Sequence, residues 1–318
     1  MPALVEEMFY VSNESNGRFT PWHGMGTAVE NAPTSADAIR LAGLDWTVTK
    51  IPMKTISGID VPDYFANVRN SDNSVLGVVG NRYVPVQNAD AFAFTDSLLG
   101  EGVTYETAGS LENGKRVWLL ARMPSEVVLG DEVIPYLLFT NGHNGAYGVK
   151  VCMSNVRVVC NNTLNFALEN ASRIWTTRHV GDIKGKMEDV RETLNLAKIY
   201  NEQFKIFAEN AANVSLNEDE TMKAIETLFK LNEEDVSDRV KRNRVDASNE
   251  FIRCMNAPDI QKFNGTVWAF VNAASDFAYH SSPARVTSTL QEQRMKSAID
   301  GNVFLNNAFN LVSSKVAA

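Results

Sequence analysis

Long apolar runs, paired cysteines and a positive charge balance are all missing from this 318-residue chain. No uninterrupted apolar stretch approaches the roughly 18 residues that a membrane-crossing helix needs, so no spanning segment is expected. Three cysteines, Cys152, Cys160 and Cys254, cannot all pair with one another, and in a chain of this size they do not make a disulfide framework. Free thiols in a reducing cytoplasm are the expectation. The opening residues, MPALVEEMFYVSNES, carry acids where a secretory leader needs a basic flank, which points the same way. A formal net charge of −8 argues against a uniformly basic nucleic-acid coat, but it leaves room for a basic groove on an acidic body.

Catalytic and metal signatures are equally sparse. The histidines number 4, His23, His143, His179 and His280, and no close Cys-X-X-Cys or His-X-X-X-His pair occurs. There is no Gly-X-Ser-X-Gly elbow, so a nucleophilic triad has no visible seat. Gly142, Gly145 and Gly148 lack the Lys-Ser/Thr of a Walker loop, although Lys150 is near and such a turn can offer backbone amides to a phosphate. Acidic clusters at Asn217–Glu220 and Glu233–Asp235 read as solvated helix starts. No cofactor and no metal are expected, and a binding protein is a simpler reading than an enzyme.

What is present is an ordinary globular composition, 44% apolar and 21% charged, with patterns that change along the chain. Residues 1–33 read as an irregular arm with Phe19 and Trp22 as anchors. Thr34 or Ser35 caps a short helix that stops at Gly43. Alternation then predicts strands through Trp46–Ile51, Tyr64–Arg69, Val75–Val79 and Val84–Val86. Asn88 is expected to cap an amphipathic helix that ends at Gly100. Strands at Val103–Ala108, Arg116–Met123 and Glu132–Thr140 follow, with Asn113-Gly114 as a hairpin turn. The periodicity of Val156, Val159, Cys160, Thr163, Leu164, Ala167 and Leu168 predicts a helix over 154–168, with the β-branched run VRVV leaving a strand start open, and a short strand follows at Ile174–Val180. Helices are expected at about 184–213, 217–231, 236–256 and 262–280, with two more between 283 and 314.

This is an α+β chain: an antiparallel sheet with helices against one face in a core domain at 34–180, then a helical region at 181–318.

The densest set of ligand-capable groups lies between Thr140 and Leu168 and just beyond. On the helix reading, Arg157, Asn161 and Asn165 form a polar stripe. Lys150 precedes them; Arg173, Trp175, Arg178, His179 and Lys184 follow. Between Arg173 and Lys186 a single acid, Asp182, faces four Lys/Arg residues and His179 in an otherwise acidic chain. Cations that track phosphates beside an aromatic on which a base can stack suit single-stranded nucleic acid.

Three stretches carry a family resemblance: Pro21–Gly26 (PWHGMG), Ala108–Trp118 (AGSLENGKRVW) and Arg157–Leu164 (RVVCNNTL). With Arg178-His179, Gly265–Trp268, Asn272 and His280, they resemble the phage/plasmid-like proteins of domain of unknown function 932. Val180 stands where that resemblance would place threonine, which takes weight from a catalytic role for Arg178-His179. The resemblance implies a mobile-element protein in the cytoplasm of a host cell, and it carries no assigned activity. The helix–three-strand–helix order of 88–168 is also similar to the core of single-strand annealing proteins.

The expectation is therefore a DNA-metabolism protein that binds single-stranded nucleic acid in annealing or recombination, with a homo-oligomer left open. Two alternatives stand beside it. One is an enzyme on nucleic acid or nucleotides with His143, Cys160 and His179 around one pocket. The other is an interaction module for a host or phage protein in defence or replication.

Overall fold

The computed structural model describes residues 5–11, 26–30, 32, 34–93, 95–96, 102–157, 162–164, 174–182, 185, 190–282 and 289–316. Twelve strands and eight α-helices are found among them. The strands are β1 Val5–Val11, β2 Thr27–Val29, β3 Val48–Lys54, β4 Asp60–Arg69, β5 Val75–Gly80, β6 Thr104–Leu111, β7 Arg116–Arg122, β8 Glu126–Val128, β9 Asp131–Gly142, β10 Val149–Arg157, β11 Asn162–Leu164 and β12 Ile174–Thr177. The helices are α1 Ser35–Leu41, α2 Asn88–Ala93, α3 Val190–Asn213, α4 Glu218–Phe229, α5 Asp238–Met255, α6 Val267–His280, α7 Leu290–Asp300 and α8 Val303–Ser313.

Nine strands make the main sheet, in the order β11-β10-β9-β7-β6-β1-β2, with β12 also on β10 and β8 on β9. Every pairing is antiparallel except β1 with β2. The turn between β6 and β7 places Glu112, Asn113 and Gly114 at positive φ, which asparagine and glycine tolerate best.

Helices cover both faces of this sheet, not one as the order of the elements suggested. Val117, Leu119, Ala121, Leu137, Phe139, Val151 and Met153 pack with α1 and α2. Trp118, Leu120, Tyr136, Leu138, Cys152 and Val156 pack with α4 to α8. The cause is legible in the strands themselves. RVWLLAR and EVIPYLLFT are nearly continuous apolar runs, and such a strand must be buried on both sides. Helix α3 serves both layers, giving Ala197 and Tyr200 to the first core and Phe204, Ala208 and Ala211 to the second. Helix α6 is buried at every position from Val267 to Asp276, which is why it is apolar all round.

The helix expected over 154–168 is also corrected. Val149–Arg157 is a strand in full register with β9, Lys150 opposite Thr140 through Arg157 opposite Val133. Residues Asn162–Leu164 return antiparallel along it. The β-branched run Val156-Arg157-Val158-Val159 favours a pleated strand over a helix, and the long neighbour β9 supplies the edge it needs. Arg157 of the expected stripe is thus on a strand, and Asn161 and Asn165 lie outside the described residues.

Local signals elsewhere hold. Thr34 accepts from Asp37 N, and Asn217 and Glu220 form a reciprocal capping box at 2.9 and 3.0 Å. Ser237 caps α5.

Strands β3, β4 and β5 form a separate three-stranded sheet. Its inner face lies on the turn between β9 and β10: Asn67 Nδ2 donates to the His143 carbonyl at 2.7 Å. Gly77 makes this approach close, since a Cβ there would stand 2.5 Å from Asn144 Cα and 2.6 Å from its carbonyl oxygen. Both are backbone atoms that cannot swing aside. Gly77→Ala is therefore expected to cost about 1–3 kcal/mol, read as a lowered denaturation midpoint; an unchanged midpoint would show that the two parts separate freely.

Candidate functional site

The turn after β9 is where the main sheet, the small sheet and the chain before α2 meet. Asn141 and Gly142 end β9, and His143 begins the turn with its amide bonded to the Lys115 carbonyl at 2.8 Å. Asn144 Oδ1 accepts from the amides of Ala146 and Tyr147 at 2.9 and 3.2 Å. Those two amides are thus spent on the turn itself and not on an anion. Gly142 and Gly148 fit against Tyr147 and the Thr177 backbone with no room for a Cβ. The glycine spacing that could have meant a phosphate cradle here serves packing.

Around this turn lies a buried polar cluster. His143 is fully buried; its Nε2 meets Asn88 Oδ1 at 2.9 Å, while Asn88 Nδ2 donates to the Leu44 carbonyl at 2.9 Å. The edge of the Trp46 ring sits 5.2 Å from the imidazole, and Arg69 lies over Trp46. His179, also buried, has Nδ1 at 3.3 Å from the Val84 carbonyl, and Tyr83 stacks on its ring at 4.8 Å and 15°. The Tyr83 hydroxyl donates to the Gly142 carbonyl at 2.9 Å, next to His143. Asn141 Nδ2 donates to the Val86 carbonyl at 2.9 Å. Alternate residues of one short segment, 84, 86 and 88, thus engage His179, Asn141 and His143 in turn.

Burial penalises a charged imidazole. It pushes His143 down to about 3, helped by the neighbouring His179, and it lowers His179 as well against the opposing pull of the Val84 carbonyl. Both rings are neutral near pH 7.

The structure thus brings His143 and His179 together, and places them with Tyr83, Trp46, Asn67, Asn88 and Asn141, which sequence reasoning did not single out. Cys160, the third member of the expected pocket, lies outside the described residues. Two other cysteines, Cys152 and Cys254, are buried free thiols, and burial raises Cys254 to about 12 beside Ser281. Among the described residues no three His, Cys, Asp or Glu side chains group as metal ligands.

The residues expected to track nucleic acid are dispersed. Lys150 faces the helical layer and its Nζ donates to the Ile299 carbonyl at 3.2 Å. Trp175, paired with Val151, packs against the opposite layer. Neighbouring positions of β10 point to opposite faces, so these two cannot contact one strand of nucleic acid on one face. Arg178 is exposed at the end of β12, beside buried His179. Arg157 closes β10 opposite Asn162, with its backbone alone described. Asn161, Asn165, Arg173 and Lys184 lie outside the described residues.

The isolated bridge between Tyr83 and Val180 joins the two segments that carry Arg82 and Arg178. Both are exposed, and neither has an ion-pair partner among the described residues.

A family model for a domain of unknown function (DUF932) matches residues 75–299, well over half of the chain and the span that holds all of this cluster except Trp46 and Asn67. No curated protein and no solved structure matches the chain.

Proposed function

We propose that this chain, which belongs to the DUF932 family, is a phage- or plasmid-type protein of DNA metabolism that binds single-stranded nucleic acid. The contact surface is the rim of the His143–His179 cluster. One observation carries the reading: Arg82 and Arg178 stand exposed near that cluster with no ion-pair partner among the described residues, on a chain whose net charge is −8. Isolated cations on an acidic body bind an anion where they stand, because association follows local and not total charge. The half-buried Tyr83 ring, already stacked on His179, adds an aromatic edge beside them. In this reading Arg178 joins Arg82 in the contact set, the buried His179 supports the rim from beneath, and Lys150 and Trp175, which lie on opposite layers, are left out of it.

The test is fluorescence anisotropy with labelled single-stranded and duplex DNA over a salt series, with Arg82→Ala and Arg178→Ala alongside. Each phosphate contact removed is expected to flatten the salt dependence of log K by about 0.7 for a single strand. Absence of binding at low salt, or binding that both variants leave intact, sinks the proposal.

A second reading has its own observation. The convergence of two buried neutral imidazoles is what an enzyme acting on nucleotides through a histidine pocket would need.

A further inference from the structure

Four buried polar atoms of the cluster have no hydrogen-bond partner among the described residues: His143 Nδ1, His179 Nε2, Asn67 Oδ1 and Asn141 Oδ1. Buried polar atoms are rarely left so, and these four belong to side chains that hydrogen bonds and ring contacts tie to the same turn region.

Their chemistry narrows what can satisfy them. Asn88 gives its NH₂ to Leu44, so the oxygen it turns to His143 can only accept. The His143 hydrogen is therefore on Nε2, and Nδ1 is a bare lone pair. His179 points Nδ1 at a carbonyl oxygen, which fixes its hydrogen there and leaves Nε2 bare. Asn67 and Asn141 each spend the NH₂ on a carbonyl, of His143 and of Val86, and each keeps an unused oxygen. All four orphans are acceptors. No rotation of these groups lets them satisfy one another, and whatever satisfies them must bring positive charge or hydrogens.

We propose that His143 and His179 are the ligands of a divalent transition-metal ion, with the amide oxygens of Asn67 and Asn141 as the supporting donors. Imidazole is the donor that zinc, cobalt, nickel and copper share. Metal-bound histidines characteristically give their other ring N–H to a carbonyl or carboxylate oxygen, which fixes the tautomer. Both histidines here do this, one to a side-chain amide and one to the backbone. The close approach of Gly77 to Asn144 ties the small sheet to the turn next to His143, and Tyr83, stacked on His179, donates to the Gly142 carbonyl beside His143. A donor set without carboxylates or thiolates is neutral, so the affinity is expected to be moderate, and the ion can be stripped by chelators. The competing occupant is a buried water, which could donate to two of the four acceptors and no more.

The experiment is titration of the chelator-treated full-length chain with Co²⁺, followed by its visible absorption, and with Zn²⁺, followed by calorimetry. One ion per chain is expected. Asn88→Ala should weaken binding by about 10–100-fold through loss of ring orientation, and His179→Gln by more. In the unsubstituted protein, the imidazole ¹⁵N resonances of His143 and His179 should shift on adding Zn²⁺. This last readout needs no variant to fold. No uptake of either ion, uptake that leaves both imidazoles unmoved, or a high-resolution electron-density map holding water alone at the four acceptors after Zn²⁺ soaking overturns the proposal.

Discussion

Taking the metal-free protein from pH 7 to pH 4 should lower its unfolding free energy by about 3 kcal/mol through His143 alone. The folded value of about 3 lies well below the ordinary 6.5 of a free imidazole. Unfolded chains therefore take up a proton on this residue below pH 6.5 while folded chains do not. The unfolded state binds more protons over that window, so stability falls as pH falls and the loss is complete only near the folded value. His179, lowered in the same direction by burial, adds to the slope. Urea denaturation at stepped pH checks this. The midpoint should decline steadily from pH 6.5, above the range where most carboxylates titrate, and His143→Gln should flatten the decline. A midpoint unchanged from pH 6.5 to 5 would mean that the ring reaches water or a partner for its proton.

The second large effect concerns the join between sheet and helices. Arg116, at the start of β7 and almost wholly buried, pairs with Asp300 at the end of α7 and lies over the Tyr147 ring. Asp300 also takes Lys296 at 2.6 Å, and the two cations hold its carboxyl below the usual range despite its partial burial. Removing the acid leaves a guanidinium in the interior with nothing to offset its desolvation. Asp300→Ala should cost about 3 kcal/mol. The pair itself is not worth that much, because forming it required desolvating both charges. Replacing both partners, as Arg116→Met with Asp300→Ala, should therefore recover more than half of the loss. A double variant as unstable as the single one would show that the guanidinium contributes through packing and not through its charge.

Much of the architecture was readable from local chemistry. The Asn113-Gly114 turn, the Thr34 cap, the helix start at Asn217–Glu220 and the run of C-terminal helices are written in residues that touch their sequence neighbours, and these held. What failed depended on distant partners. Ser154–Leu168 has a helical spacing of apolar residues, yet β9 offered a full-length edge to its first part, and pairing overrode periodicity. The one-faced sheet failed because it was read from the order of the elements, whereas the continuous apolar runs of β7 and β9 needed cover on both faces.

The site was half legible. His143 and His179 were named as members of one pocket because rare residue types invite grouping. Asn67, Asn88 and Asn141 were missed or, for Asn88, read as a helix cap. A signal existed: Asn67 interrupts the strand YFANVR, and Asn141 follows the apolar run YLLFT, where an amide has no reason to sit unless something across from it needs one. Which partner it meets could not be read, because Asn67 and His143 are 76 residues apart in sequence and only the folded chain brings them together.

The place of β1 in the main sheet bears on how the chain is made. Strand β1 lies between β2 and β6, with Met8 opposite Gly109 and Phe9 opposite Ala108. A ribosome releases β1 about a hundred residues before β6, its antiparallel partner, and the sheet face that packs under α4 to α8 stays largely bare until those helices emerge in the last third of the chain. Apolar strands such as β7 and β9 therefore spend most of synthesis with one face uncovered. Non-local pairing of this kind folds slowly and exposes strand edges to other chains meanwhile. Yield in a host should accordingly depend on chaperone supply and growth temperature, and a chain cut before α6 should accumulate as aggregate.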